Sequence, residues 1–153
     1  MNRVLLFVVF LLLGTPLWAT ETDSWYLQTS VYTKHWQHNP DHNNHQELIG
    51  IERHMKGGYL WGGATFLNSF DQRSYYAYYG RQWENDKYPV YAKLSGGVIQ
   101  GYKGEYDDKI PLNHLGVAPV IIPSFGTFYG PVGAELVVLG NAAIMINVGY
   151  RFR

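Results

Sequence analysis

The sequence has 153 residues and no cysteine, and its 12 basic residues are balanced by 12 acidic ones. The length suits a single domain, the balanced charge argues against a nucleic-acid-binding protein, and the missing cysteines exclude a disulfide framework. Aromatic residues and glycine are abundant, with 13 Tyr, 5 Trp and 17 Gly against only 16% charged residues. This composition favours strands that contact lipid, flanked by aromatic side chains at the two membrane interfaces.

Residues 1–19 have the pattern of a secretory signal. Arg3 gives the positive start, residues 4–13 form an unbroken apolar core, and Ala19 is a small residue at which a peptidase can cut. The core is too short for a membrane-spanning helix, which needs about 20 residues, and no later segment is long and apolar enough to span as one. Residues 20–153 are therefore expected to form one domain outside the cytoplasm, either soluble or crossing a membrane as a closed barrel.

The rest of the chain is a succession of segments in which side chains alternate between two faces, the period of a β-strand. In the last segment Ile144 and Ile146 alternate with Met145. In the first segment the alternation is unbroken from Trp25 to Thr33, so these two residues are expected on one face. Eight strands are predicted, at residues 25–34, 47–55, 59–68, 74–83, 90–100, 116–122, 132–139 and 142–152. The predicted fold is all-β, an eight-stranded antiparallel transmembrane up-and-down β-barrel.

An even number of strands places both termini at one end of the barrel, by convention the periplasmic end. A Pro- and Gly-rich stretch at residues 123–130 is predicted as one periplasmic connection. His35 ends the first strand, and Asn68 and Ser69 end the third, so all three are expected at the outer rim. Because neighbouring strands are about 4.8 Å apart, the tops of those two strands are expected about 10 Å from each other. The predicted outer connections are residues 35–46, 69–73, 101–115 and 140–141.

Several short motifs of the predicted barrel occur together in one known family. They are His35 at the end of the first strand, Phe66-x-Asn68-Ser69 with Tyr79-Gly80 at the family's spacing after it, Pro119-Val120-x-x-Pro123 and Tyr129-Gly130-Pro131-Val132. In these motifs the chain resembles the outer-membrane lipid A palmitoyltransferases, called PagP. The resemblance implies an enzyme that moves a palmitoyl chain from a phospholipid to a hydroxyl of lipid A, in the outer leaflet of the bacterial outer membrane.

The resemblance also implies which residues form the site. His35, Asn68 and Ser69 match the catalytic positions of the family, and Gly80 matches the glycine that sets acyl-chain length. The chain departs from the family in two respects. Asn68 stands where the family has Asp, a carboxylate for which Asp71 is the candidate substitute, and no amphipathic helix precedes the first strand. Membrane lipids are the implied partners, neither a metal nor a cofactor is expected, and a small barrel with a filled interior is expected to be monomeric.

The residue types at this rim suit acyl transfer on chemical grounds as well. His35 can be the base that removes a proton from the acceptor hydroxyl. Ser69 can donate to the oxyanion or orient the ester, and Asn68 can hold the imidazole or direct its amide at the oxyanion. The sequence contains no Gly-x-Ser-x-Gly pattern, so a nucleophilic serine on a strand-to-helix elbow is not indicated.

Two further features concern the lipid itself. Tyr76 and Tyr78 share a strand face with Gly80, so all three are expected to face inward, where a glycine allows close approach by an acyl chain. Prolines cannot donate to the hydrogen-bond ladder of a sheet. The prolines near the sixth and seventh strands are therefore expected to weaken the pairing there and to open a lateral gap for lipid; they are Pro119, Pro123 and Pro131.

Other interpretations stay open. The histidines of the first long connection suit zinc or copper by residue type, but they lie in a loop without a His-Glu-x-x-His pattern, which favours a solvated loop; they are His35, His38, His42 and His45. Two other functions are also open. One is deacylation of lipid A or phospholipase action, with water as the acceptor, and the other is a non-enzymatic barrel that serves adhesion or envelope stability.

Overall fold

The structure, a computed structural model, describes residues 23–37, 40, 42–113 and 116–153. Each strand pairs antiparallel with its neighbours in the chain, and β1 pairs with β8 to close the barrel. The predicted eight-stranded antiparallel up-and-down β-barrel is confirmed. The predicted signal, residues 1–19, lies outside the described residues. The strands are β1 Ser24–His35, β2 Ile49–His54, β3 Tyr59–Leu67, β4 Arg73–Glu84, β5 Val90–Gln100, β6 Val117–Tyr129, β7 Val132–Leu139 and β8 Ala143–Phe152.

The two ends of the barrel differ. At one, the terminal end, Trp25 pairs with Phe152, and the connections are short, including a 3-10 turn at Lys56–Gly58. At the other, the loop end, two connections are long, at residues 36–48 and 101–116, and the second of them contains a 3-10 helix at Gly104–Lys109. In the described part of the chain, no helix is both long and apolar enough to cross a bilayer.

The sixth strand is longer than predicted. β6 continues to Tyr129 and pairs with β5 from Val117 to Thr127, so the prediction of a connection at residues 123–130 was wrong. The Pro- and Gly-rich stretch is compatible with a strand because a proline is tolerated on a side where no partner strand needs its N–H. β6 has such a side, since it pairs with β7 only from Ser124 to Tyr129.

A β-bulge in β1 reverses the predicted faces of its second half. The register with β8 shifts between Ser30 and Tyr32, so Val31 and Tyr32 are both exposed whereas Thr33 is buried. The expectation that Trp25 and Thr33 share a face was therefore wrong. An inserted residue moves every later side chain to the opposite face, and this shift turns both Thr33 and His35 to the inner face.

The interior near the terminal end is filled by a buried ion cluster. The Nζ atom of Lys93 lies 2.7 Å from Glu52 and 2.8 Å from Glu135, and His54 Nε2 lies 2.7 Å from the other oxygen of Glu52. Tyr78 donates its hydroxyl proton to Glu52 over 2.8 Å. Buried charges are stable only when they are paired and hydrogen-bonded, as they are in this cluster. The side chains of the cluster occupy the interior of the barrel at this level.

The outer wall of the barrel is apolar. Large apolar side chains project outward from every strand, as expected of a barrel whose outer face contacts hydrocarbon. They include Leu27, Ile49, Trp61, Tyr79, Leu94, Ile121, Leu136 and Tyr150.

Candidate active site

His35 and Ser69 meet at the loop end, as expected from their positions at the ends of the first and third strands. Nε2 of His35 lies 2.7 Å from Oγ of Ser69. The bulge in β1 turns the side chain of His35 to the inner face of the barrel, and Ser69 follows Asn68 in the connection between β3 and β4. A hydroxyl at this distance from an imidazole nitrogen can transfer its proton to it.

Asn44 fixes the proton on the other ring nitrogen. Its Oδ1 lies 2.8 Å from Nδ1 of His35, and an amide oxygen only accepts hydrogen bonds. Nδ1 therefore bears the proton, and Nε2 is left to accept the proton of the Ser69 hydroxyl. Ser69, His35 and Asn44 therefore form a chain of hydrogen bonds, called the relay below, in which an imidazole is oriented by a third group as in a catalytic triad.

Sequence reasoning missed Asn44. It lies in the long polar connection after β1, where nothing in the local pattern distinguishes it from its neighbours. The structure holds this loop against the β3–β4 connection, because Asn43 N donates to the carbonyl oxygen of Ser69 over 2.9 Å and Asn43 Oδ1 accepts from His45 N over 2.7 Å. The short Asx-type turn at Asn43 is the one sequence signal that marks this segment as ordered.

Asn68 lies at the predicted rim, where its contacts are those of a turn, and a catalytic role for it stays a prediction. Its side chain is 1% exposed, and its Oδ1 accepts hydrogen bonds from Phe70 N and Gln72 N at 2.9 and 3.1 Å. Its Nδ2 donates to Ser74 Oγ over 3.1 Å. Among the described residues, no hydrogen bond joins Asn68 to His35. Asn68 shapes the turn that presents Ser69, and the imidazole is held by Asn44 instead.

Asp71, considered as a substitute for the carboxylate of the family, lies exposed in the same turn. Its φ is 58°, a left-handed conformation that Asp tolerates better than most residues. Its backbone N–H donates to the carbonyl oxygen of Asn68 over 3.1 Å. Asp71 thus has a role in forming the turn, and a catalytic role for it is not supported by a contact with the relay in the described residues.

Aromatic rings from three connections surround the relay. Phe70 stacks on Tyr106 with ring centroids 4.1 Å apart, and His42 lies 4.6 Å from the ring of His35. Burial raises the pKa of Tyr102 above its ordinary value, and a hydrogen bond between Tyr102 and Ser69 acts in the opposite direction. These rings pack beside the relay, and the Tyr102 hydroxyl lies within hydrogen-bond distance of Ser69.

A cavity of about 400 Å³ extends from Ser69 into the barrel. Its volume falls within the range of about 300–1,000 Å³ that is usual for ligand sites. Glu52, Lys93 and Glu135 of the ion cluster form its floor, together with Gln28 and Asn147. Its walls are mainly apolar and include Leu48, Ala64, Phe66, Ile99, Val137 and Met145. The cavity therefore has a reactive mouth, a hydrocarbon-like middle and a charged end.

Tyr76 and Tyr78 point into the barrel, as expected from their shared strand face. Both are buried and line the cavity, and their rings stack with centroids 4.5 Å apart. Their role in binding an acyl chain stays a prediction.

Gly80 is not among the residues that line the cavity. A Cβ atom added there would lie 2.5 Å from the carbonyl oxygen of Leu94 and 3.0 Å from Cα of Ser95. The close approach that requires a glycine is thus that of β5, which differs from the approach of an acyl chain expected from the sequence. The length-setting role of Gly80 stays a prediction, and Tyr78 occupies the end of the cavity.

The barrel wall is weakened between β6 and β7. Residues 117–123, all within the described part of the chain, have partners in β5 but none in β7. Pro119 and Pro123 lie in this stretch, as expected, whereas Pro131 lies in the turn after it. Ile121 lines the cavity and is also 74% exposed on the outside. Side chains alone, without a hydrogen-bond ladder, therefore separate the cavity from the outer surface here.

The histidine loop does not form a metal site in the part that the structure describes. No group of three or more His, Cys, Asp or Glu side chains is placed to hold an ion among the described residues. His38 lies outside them, and the ring of His42 packs against His35 and Phe70.

Comparisons with known proteins leave the family open. No protein-family model matches the sequence, and no curated protein matches it. Among solved structures, the chain is similar to the outer membrane protein Ail of Yersinia pestis, determined in a phospholipid bilayer nanodisc, with a TM-score of 0.44 and 13% sequence identity over 86% of this chain and 100% of that one. Likeness at this level is too low to support an argument about function. The resemblance to the palmitoyltransferases depends on the short motifs alone.

Proposed function

We propose that this protein is a bacterial outer-membrane acyltransferase that moves a palmitoyl chain from a phospholipid to a hydroxyl of lipid A. The observation that supports this most directly is the relay of Ser69, His35 and Asn44 at the mouth of a cavity with apolar walls. An apolar exterior together with an apolar internal cavity suits an enzyme whose substrate is a lipid of the surrounding membrane.

The membrane location is supported by the distribution of side chains. A closed barrel pairs most of the backbone N–H and C=O groups of its strands with one another, as a chain in a bilayer requires, and an apolar outer face suits contact with hydrocarbon. The loop end holds the relay and the polar connections, and the terminal end holds the short turns. With the usual orientation of such barrels, the relay faces the outer leaflet, where lipid A lies.

The proposed reaction has two steps. In the first, Ser69 Oγ attacks the ester carbonyl of the phospholipid, its proton passes to Nε2 of His35, and that proton is then given to the departing lysophospholipid. In the second, His35 removes the proton of a lipid A hydroxyl, whose oxygen attacks the acyl group. The ester bond to Ser69 then breaks, and His35 returns the proton to Ser69 Oγ. We assign the Tyr102 hydroxyl, which forms a hydrogen bond with Ser69, as the donor to the oxyanion of each tetrahedral intermediate.

The acyl chain occupies the cavity during transfer. The apolar walls replace the hydrocarbon surroundings that the chain leaves, so entry costs little hydrophobic free energy. The unpaired stretch of β6 gives a lateral route from the bilayer, because only side chains have to move aside. The ion cluster stops the chain, because apolar carbon gains nothing by displacing hydrogen bonds from Glu52 and Lys93.

Mass spectrometry of lipid A tests the proposal. Cells that express the chain should contain lipid A heavier by one palmitoyl group than that of cells without it. His35→Ala and Ser69→Ala should abolish the gain, while His45→Ala, an exposed histidine in the same loop, should preserve it. All variants should keep the heat-modifiable gel mobility of a folded barrel. An unchanged gain in Ser69→Ala would contradict the acyl-serine route.

Hydrolysis is the second candidate, favoured by the same relay. An acyl-serine formed at Ser69 yields a fatty acid if water reaches it before a lipid hydroxyl does. Loss of an acyl mass from lipid A, or release of free fatty acid from phospholipid, would identify a deacylase or phospholipase. No change in any lipid would leave the non-enzymatic barrel for adhesion or envelope stability as the better interpretation.

A further inference from the structure

A second group of polar and aromatic side chains lies on the outside of the barrel, at the end opposite the relay. The guanidinium of Arg81 lies 5.0 Å from the ring centre of Tyr59 and 5.6 Å from that of Trp83. We call these three residues the wall cluster. At distances below about 6 Å an aromatic face attracts a guanidinium, so the two rings keep Arg81 against the wall.

The position of the wall cluster in the sheet places it near the terminal rim. Arg81 pairs with Tyr59 of β3 on one side and with Leu94 of β5 on the other. Its chain neighbours Gly80 and Gln82 are buried, whereas Arg81 itself is exposed. The guanidinium is therefore on the outward face, three residues before the end of β4 at Glu84, where aromatic side chains usually mark the interface of a bilayer.

Arg81 differs from the other arginines of the strands in its charge partners. Arg53 pairs with Asp23 at 3.2 Å, Arg73 with Glu47 at 4.0 Å and Arg151 with Glu84 at 3.3 Å. For Arg81 no ion pair is found among the described residues. A cation near the interface attracts anionic lipid, so we expect the anion for Arg81 to come from outside the chain.

We propose that the wall cluster binds the phosphate of an anionic glycerophospholipid, in the leaflet nearer the terminal end. This rests on the membrane location within the proposed function, and it does not depend on acyl transfer. The planar guanidinium can donate two parallel hydrogen bonds to phosphate oxygens. The acyl chains of the bound lipid lie along the outer wall above Arg81, where Leu94 and Val98 of β5 are exposed.

The geometry distinguishes this site from a general basic surface. The net charge of the chain is zero, so attraction of anionic lipid to the protein as a whole is weak. The two rings restrict Arg81 to one position, which lowers the conformational entropy that binding would otherwise remove. A single phospholipid per barrel with a preference for an anionic headgroup is the expected result.

Native mass spectrometry of the refolded barrel in detergent tests the proposal with phosphatidylglycerol and phosphatidylcholine as probes. Vesicle flotation comes first, and a chain that does not associate with vesicles overturns the proposal. The wild type should retain one phosphatidylglycerol and much less phosphatidylcholine. Arg81→Gln should weaken retention about fivefold, the effect expected for one arginine near an anionic lipid. Arg81→Lys should fall between the two.

The matched control is Arg73→Gln, an exposed arginine of the same strand at the loop end, which should retain phosphatidylglycerol as the wild type does. Equal losses in Arg73→Gln and Arg81→Gln, or no loss in Arg81→Gln, would overturn the proposal. Inorganic phosphate at the same concentration should not displace the lipid, and full displacement would mean a site for free anions. Ser69→Ala should retain the lipid normally, so failure of acyl transfer and failure of this site give different results.

Discussion

Replacement of Asn44 separates a positioning role from a directly catalytic one. Asn44→Ala removes the 2.8 Å hydrogen bond to Nδ1 of His35 and leaves Ser69 in place. A neutral hydrogen bond contributes about 0.5–1.5 kcal/mol net, and because Asn44 is exposed, water replaces part of it and the lower half of that range applies. The expected loss in kcat/KM is about two- to fivefold, since 1.4 kcal/mol corresponds to a tenfold change in rate.

The loss should appear in kcat with KM unchanged, because Asn44 acts on the base and does not contact the acyl cavity. Asn44→Asp should restore the rate and move the acid limb of the pH–rate profile to higher pH. The sign follows from the added carboxylate, which stabilises the protonated imidazole, so that a higher pH is needed to form the neutral base.

The assay is transfer of labelled palmitate from phospholipid to lipid A in detergent micelles. Asn85→Ala is the matched control, because Asn85 accepts hydrogen bonds from Lys87 N and Tyr88 N in a turn at the terminal end. The control should have wild-type kcat. An unchanged rate in Asn44→Ala, or a loss as complete as that in Ser69→Ala, would refute the positioning role of Asn44.

The remaining predictions concern the cavity and the barrel. Ala64→Met should shift product chains to shorter acyl lengths, measured by mass spectrometry, because Ala64 lines the cavity wall; unchanged lengths would place the chain elsewhere. Gly80→Met should mainly lower the thermal midpoint, since a Cβ there meets backbone at 2.5 Å; shorter products with unaltered stability would support the length-setting role instead. A disulfide between the unpaired part of β6 and the adjacent part of β7 should block transfer until it is reduced, and full activity of the oxidised form would exclude that route. Lys93→Met should destabilise the barrel by about 3–5 kcal/mol in urea unfolding, because it leaves Glu52 and Glu135 buried without their cation; a loss below about 1 kcal/mol would show that the cluster is hydrated.

The location of His35 and Ser69 at the same rim could be predicted by counting residues and strands. The alternation of side chains depends only on the two-residue period of a strand, and the direction of successive strands depends only on their number. Those local rules were enough to expect His35 and Ser69 at the same end. They could not give the 2.7 Å contact, because it requires the bulge in β1, and a bulge depends on pairing with β8.

Asn68 and Asn44 show where local rules failed. The motif drew attention to Asn68, but its hydrogen bonds close the β3–β4 turn around Ser69. Asn44 belongs to no motif. It reaches His35 because a backbone contact joins the β1–β2 connection, in which Asn44 lies, to the β3–β4 connection. Contacts of that kind depend on which strand ends are neighbours in the closed barrel, and no segment of the chain contains that information by itself.

The sequence alone determined the number of strands, their order and the apolar exterior, because each depends on residues a few positions apart. The tertiary structure decided the extent of β6, the face on which His35 lies, the orienting role of Asn44 and the charged end of the cavity. Each of these arises from atoms that are far apart in the chain and that barrel closure brings within hydrogen-bond or ion-pair distance. Closure is a property of all eight strands together, so its consequences for the site become visible only in the folded molecule.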